Sequence, residues 1–264
     1  MSTPLIFIHG LWIHSTSWQP WIDFFRQAGY DGVAPEWPGG SATVAEARAN
    51  PSQAAGYGVG EIVDHYAKIM ATLPAKPVVI GHSFGGLIAQ ALLGKNFASA
   101  AVAIDAAPIK GVLALPFSAL RVASVAVRNP ANLKKAVSLT AAEFRYGFGN
   151  MLSHEDSEEL YRRWAIPSPG RPLFQAAFAT FNPNAATKVD TANANRGPLL
   201  LIAGEHDHTV PPAITRATLK LYQRSPAITE LKQIANRGHS LTIDKGWREV
   251  AQTALDWLKA RLPA

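Results

Sequence analysis

Apolar and polar positions alternate along this chain in two patterns. Short segments at 5–8, 32–34, 77–80, 100–104, 199–203 and 229–234 predict β-strands. Most are continuous apolar runs of the kind buried on both faces of a parallel sheet. Between them, segments at 18–28, 61–73, 87–93, 212–222 and 248–262 carry apolar residues at helical spacing. In the last of these Trp247, Val250, Ala251, Ala254, Leu255 and Leu258 fall on one face. Strands alternating with helices predict an α/β fold with a parallel sheet covered on both faces. The alternation lapses from Ile109 to Asn195, where helical stretches are broken by Pro116, Pro130, Pro167, Pro169, Pro172 and Pro183 and no strand is evident. A helical insertion between two strands accounts for this interval. Ligands of open α/β sheets bind beyond the carboxyl ends of the strands, so such an insertion would lie over the site as a lid.

Composition narrows the class only modestly. Of 264 residues, 48% are hydrophobic and 17% charged, which suits a folded chain with a sizeable core. The absence of cysteine removes disulfides, thiolate metal ligands and cysteine nucleophiles from consideration. The net charge of +6 comes from scattered residues, with Lys134-Lys135 and Arg162-Arg163 the only adjacent basic pairs, so a nucleic-acid surface is not expected. Met1-Ser2-Thr3-Pro4 leads directly into the first strand without the basic and apolar regions of a secretory leader. No run approaches the roughly 20 apolar residues of a membrane span. The expectation is a soluble cytoplasmic protein.

The candidate chemistry gathers at strand ends. Val78-Val79-Ile80 runs into Gly81-His82-Ser83-Phe84-Gly85-Gly86, a Gly-x-Ser-x-Gly turn between strand and helix that would expose the Ser83 hydroxyl. A serine needs a base and an orienting acid to act as a nucleophile. The strand at 199–203 leads into Gly204-Glu205-His206-Asp207, and the strand at 229–234 leads into Gly238-His239-Ser240. Both therefore reach the rim on which Ser83 lies. Asp105, after the strand at 100–104, reaches that rim too and competes with Asp207 as the acid. Asp207 is preferred for its Gly-x-x-Asp context. The first strand ends in His9-Gly10-Leu11-Trp12, so the N–H groups of Leu11 and Phe84 are candidates for an oxyanion hole.

His9-Gly10, Gly81-His82-Ser83-Phe84-Gly85-Gly86, Gly204-Glu205-His206-Asp207 and Gly238-His239-Ser240 together resemble the α/β-hydrolase superfamily over nearly the whole chain. The resemblance implies a Ser83-His239-Asp207 triad, an oxyanion hole, and neither metal nor organic cofactor. Larger members place two more strands before the His-Gly turn. The expectation is accordingly a reduced sheet of about six strands, similar to plant methylesterases and hydroxynitrile lyases. Residues 1–108 and 196–264 would form the core, and 109–195 a helical cap inserted before the penultimate strand.

The remaining histidines and aromatics have competing roles. His206, His208, Glu205 and His9 suggest metal ligands by type, but they lack the helical i, i+4 spacing of a zinc pair, and no metal is expected. His82 is read as a packing residue at the turn. Trp12, beside the oxyanion turn, is placed in the pocket. Phe144, Tyr146, Phe148, Trp164 and Phe178 are the insertion's candidates to line it, against simple lid packing, and Phe148 and Trp164 join Trp12 as substrate-binding candidates. The expected partner is a small acyl substrate, and the expected reaction is cleavage of a carboxylic ester, lactone or thioester. The alternatives are a hydroxynitrile-lyase-like enzyme, for which Lys110, Lys134 or Lys135 would supply a lysine over the substrate, and a non-enzymatic ligand receptor on the same fold.

Overall fold

A computed structural model describes residues 2–114 and 116–262. Its centre is a six-stranded sheet in the order β2-β1-β3-β4-β7-β8, with every neighbouring pair parallel. The strands are β1 (Thr3–Ile8), β2 (Tyr30–Val33), β3 (Val78–His82), β4 (Ala100–Ile104), β7 (Leu199–Gly204) and β8 (Thr229–Ile234). Their positions agree with the sequence-based expectation to within a few residues at each end.

The period of two along a strand sorts the core into two layers. Leu5, Phe7, Val78, Ile80, Leu200 and Ile202 point to one face, where α1 (Gln19–Arg26) and α10 (Trp247–Arg261) cover them with Trp21, Phe25, Val250, Ala254 and Leu258. Ile6, Ile8, Val79, Leu199 and Leu201 point to the other face, under α3 (Val59–Met70), α4 (Phe84–Gly94) and α9 (Pro212–Tyr222). A short α2 (Val44–Ala49) lies between β2 and α3. Helix α4 is buried along its whole length, which is why its sequence is apolar all round rather than amphipathic. The edge strand β8 instead carries Glu230, Lys232 and Gln233, the polar edge that discourages pairing with another chain.

Between β4 and β7 the chain forms α5 (Phe117–Val127), β5 (Ala136–Val137), α6 (Ala141–Gly147), α7 (His154–Trp164), β6 (Ser168–Pro169) and α8 (Arg171–Ala177). The insertion is helical as expected, except that β5 and β6 pair as an antiparallel ribbon of two residues each. Two residues are too few for a period, so this ribbon left no signal in the sequence. The insertion's apolar residues are also less uniformly internal than expected. Phe144 and Phe148 are buried, but Phe117 is 80% exposed and Phe178 57% exposed. No helix among the described residues is long and apolar enough to cross a membrane.

Candidate active site

Because all six strands run the same way and each ends within two residues of its neighbour in register, the turns after β1, β3, β4, β7 and β8 open on one rim. Ile8 pairs with Gly81, His82 with Ile104, Ile104 with Ile202 and Gly204 with Ile234. Ser83 stands at the end of β3 as the N-cap of α4, with φ 57° and ψ −122°. A non-glycine residue in that region costs roughly 1–3 kcal/mol and persists only where its surroundings hold it. Here the Ser83 N–H donates to Ile104 O at 2.9 Å, and Ser83 O accepts from Gly86, Leu87 and Ala107. The flanking glycines follow from close approach. A Cβ on Gly81 would lie 2.1 Å from Gly85 O, and one on Gly85 would lie 2.1 Å from Ile8 O. Gly10 faces the serine directly: a Cβ there would come 2.7 Å from Ser83 Cβ.

His239 lies on the loop after β8, fully buried. Its Nδ1 is 2.6 Å from Asp207 Oδ2. The other oxygen, Asp207 Oδ1, accepts the N–H groups of Thr209 at 2.6 Å and Val210 at 2.8 Å, so the carboxylate is fixed from both sides. The imidazole is walled by His82, with ring centres 4.5 Å apart, and by Phe148 at 4.8 Å. Its Nε2 is buried and has no hydrogen-bond partner among the described residues. The Ser83 hydroxyl is therefore not hydrogen-bonded to it; where such a pair serves catalysis, its hydrogen bond is often completed only when substrate binds. Burial, followed by the neighbouring His239, holds His82 well below the usual histidine range. That agrees with a packing role at the turn.

Asp105 also reaches this cluster. It is fully buried at φ 42°, accepts the Gly204 N–H at 2.7 Å through Oδ1, and lies 4.0 Å from His239 Nδ1 through Oδ2. Burial first, and then the Asp207 carboxylate, push its carboxyl well above the ordinary carboxylate range. His82, Asp105 and His239 each bring a potential metal-ligand atom within 4.8 Å of one another, but the His239 Nδ1 edge is taken by Asp207. The metal candidates weighed by residue type do not assemble: His208 meets Tyr146 O, His206 meets Glu205, and His9 meets Glu36.

Leu11 follows Gly10, which packs on Ser83, and Phe84 follows Ser83 itself. Phe84 is the first residue of α4, where a helix leaves N–H groups unpaired, and the Leu11 N–H has no partner among the described residues. Behind Leu11 is a network that the sequence did not suggest. Glu36 lies 3.4 Å from His9 Nε2 and 3.3 Å from His14 Nε2, and it accepts the Ser15 hydroxyl. Burial opposes the charge on Glu36, but hydrogen bonds and charge from His9, with Ser15 and His14 adding to them, bring it down to about 2. His9 also stacks on Trp37, ring centres 5.1 Å apart.

The substrate-binding candidates separate. Trp12 is buried at 6.4 Å from Phe148, and Phe148, which lies against the histidine, stacks on Phe144 at 4.9 Å. Trp164 does not join them. It is half-buried under the Arg163 guanidinium, and it meets the turn after β1 through its carbonyl, which accepts the His14 N–H. Phe178 is exposed. None of the three lysines is poised over the cluster: Lys110 Nζ donates to the carbonyls of Asn182 and Pro183, and Lys134 and Lys135 are exposed. A cavity of about 150 Å³ adjoins Trp12 between α2 and the insertion, lined in part by Arg48, Leu139 and Tyr161.

A six-stranded parallel sheet with a strained serine at the β3–α4 turn and a helical insertion before the penultimate strand defines an α/β-hydrolase fold. The chain belongs to the alpha/beta hydrolase family, whose sequence profile matches residues 5–253. No curated protein matches it in sequence. Among solved structures it is similar to the monoacylglycerol lipase of Paleococcus ferrophilus, with 20% identity over 99% of this chain and 97% of that one, TM-score 0.69. It is similar also to an extracellular alpha/beta-hydrolase from a Paenibacillus species that is described as sharing structural and functional homology with tobacco salicylic acid binding protein 2. There the identity is 16%, over 96% of this chain and 98% of that one, TM-score 0.68. Polyneuridine aldehyde esterase matches at 19% identity over 97% of this chain and 99% of that one, TM-score 0.66. At these identities the likeness concerns the fold, which hosts many reactions.

Proposed function

We propose that the protein is a serine hydrolase that cleaves a carboxylic ester, or a related acyl compound such as a lactone or thioester, through an acyl-enzyme on Ser83. The observation that carries this reading is the buried His239 ring, pinned through Nδ1 by Asp207 at 2.6 Å while Nε2 is left without a partner. A histidine so held is oriented as a base, and the acid stabilises its charged form.

In the proposed reaction Ser83 Oγ attacks the acyl carbon and gives its proton to His239 Nε2. The carbonyl oxygen becomes an oxyanion that receives the N–H groups of Leu11 and Phe84, donors whose individual loss typically costs on the order of 3 kcal/mol. The tetrahedral adduct collapses, the bond to the leaving oxygen or sulfur breaks, and His239 returns the proton to it. Water then attacks the acyl-enzyme while His239 takes its proton, and the carboxylic acid departs as Ser83 Oγ regains a proton. The roles given to Ser83, His239, Asp207, Leu11 and Phe84 are part of the proposal. So are the cap role of residues 109–195 and the lining of the acyl site by Trp12 and Phe148. Lipases and esterases among the similar structures are consistent with an ester substrate.

The test is an ester panel of graded acyl length, run on the wild type and Ser83→Ala, together with labelling by a serine-directed phosphonate located by mass spectrometry. Turnover in the wild type, phosphonate on Ser83 and a loss of about 10⁴-fold or more in Ser83→Ala are expected. A Ser83→Ala enzyme within tenfold of the wild type would remove Ser83 as the nucleophile.

A further inference from the structure

The turn that carries Leu11 is held from outside the sheet. Trp12 has φ 66°, a left-handed backbone that a tryptophan does not adopt unaided. Its polar groups all end on the insertion. The Trp12 N–H donates to Ser168 Oγ at 2.7 Å, its indole Nε1–H to Val137 O at 3.0 Å, and its carbonyl accepts the Ile166 N–H at 3.0 Å. Two of these three partners are main-chain groups, and Ser168 supplies the side chain. Ser168 is itself buried, on the two-residue strand β6, 156 positions from Trp12 in the sequence.

On the other side of Leu11, His9 Nδ1–H donates to Gly10 O at 2.9 Å. In a trans peptide the carbonyl and the N–H point in opposite directions. Holding Gly10 O therefore sets the direction of the Leu11 N–H, which belongs to the same peptide plane. Holding the Trp12 N–H fixes the next plane. The two peptides that meet at the Leu11 Cα are each pinned by one side chain, His9 from the sheet and Ser168 from the insertion.

We infer that Ser168 is a positioning residue for the oxyanion hole: its hydroxyl, by accepting the Trp12 N–H, keeps the Leu11 N–H aimed at the developing oxyanion. The insertion then does more than cover the site, because part of the transition-state geometry depends on its being seated. Removal of Ser168 Oγ leaves the buried N–H of the strained Trp12 unpaired, so the Leu11–Trp12 peptide rotates and, through the shared Leu11 Cα, tilts the neighbouring peptide that carries the Leu11 N–H. Ser168 touches neither substrate nor serine in this scheme; it acts through Trp12 and Leu11. The inference rests on the acyl-transfer reading of Ser83 above.

The test compares Ser168→Ala, Ser168→Thr and Ser168→Val with the wild type and Ser83→Ala. Measurements are kcat and KM on one ester, and the inhibition constant of a trifluoromethyl ketone, whose adduct presents an oxyanion. Thr and Val have matched volume and differ in the acceptor. Ser168→Ala and Ser168→Val should lose about ten- to a hundred-fold in kcat with KM within about threefold. Inhibitor affinity should fall by the same factor as kcat/KM, and Ser168→Thr should recover most of both. A role confined to packing would leave inhibitor affinity and kcat in place or would impair Thr and Val alike, and either result overturns the inference. So would a failure of both hydroxyl-free variants to fold, since the hydroxyl would then serve stability. If instead the wild type turns over no ester and Ser83 takes no phosphonate, the acyl-transfer reading has failed and this inference is withdrawn with it. A working wild type with unaffected Ser168 variants overturns this inference alone.

Discussion

Asp105 Oδ2 stops 4.0 Å from His239 Nδ1, too far for a hydrogen bond. The same nitrogen is held by Asp207 at 2.6 Å. Both acids follow strands that are neighbours in the sheet, so both arrive at the rim, and a difference of little more than an ångström separates their roles. Asp207→Asn removes the charge that orients the imidazole and should cost about 10⁴-fold in kcat, the loss expected where a triad depends on its acid. Asp105→Asn keeps an acceptor for the Gly204 N–H and should stay within about tenfold of the wild type. Measuring kcat for the two variants on one ester checks this, and the opposite ranking would reassign the acid.

Asp105 should also leave a mark on stability. Its carboxyl is raised by burial and by Asp207, so the folded state favours the neutral form. A group raised on folding contributes its stabilisation fully below its unfolded value, near 4 for an aspartate, and loses it as pH rises towards the folded value. At neutral pH Asp105 is thus a cost to the fold. Asp105→Asn is neutral in both states and should be as stable as the wild type or more so at pH 7, with a flatter fall between pH 4 and 7. Urea titrations across that range measure it.

Glu36 carries the opposite sign. It is lowered to about 2 because the favourable contacts with His9, Ser15 and His14 outweigh the burial that opposes its charge. Its stabilisation is present above the unfolded value, near 4.5, and is lost as pH falls from there to about 2. Glu36→Gln should lower stability at pH 7 by on the order of 2 kcal/mol and remove most of that acid-side loss. A variant with an unchanged acid limb would show that the network does not hold Glu36 ionised.

Phe148 and Trp164 should behave differently, although both lie in the insertion. Phe148 packs on His239 and beside Trp12, whereas Trp164 lies under Arg163. Phe148→Ala opens space over the histidine and should move the preferred acyl length towards longer chains, with each methylene worth roughly 1–3 kcal/mol in kcat/KM. Emptying a buried site costs about 3–5 kcal/mol of stability, so Phe148→Leu is the safer companion. Trp164→Ala should leave the length profile as it is. A kcat/KM series over acyl length for the three variants decides whether Phe148 lines the acyl site.

The chain's local patterns were enough to specify the sheet and the turns on its rim. Apolar runs long enough to be buried, a Gly-x-Ser-x-Gly turn whose glycines are required by close approach of Gly81 to Gly85 and of Gly85 to Ile8, and an apolar helix after it are all written within a few residues of one another. Parallel strands then place Ser83, Asp207 and His239 on one edge without further information. What the pattern along the chain left open was everything set by distances between remote segments. The Gly-x-x-Asp context already favoured Asp207 over Asp105, but the distances that separate the two depend on how far each loop carries its carboxylate past the strand end. The pairing of His9 with Glu36, and the hold of Ser168 on Trp12, join residues 27 and 156 positions apart that have no local signature. The insertion shows the same division: its helices were legible, but whether a ring such as Phe148 turns inward or one such as Phe178 turns outward was decided by packing. Hydrophobicity along the chain says that a side chain can be buried, and only the neighbours brought to it by the fold determine where it points.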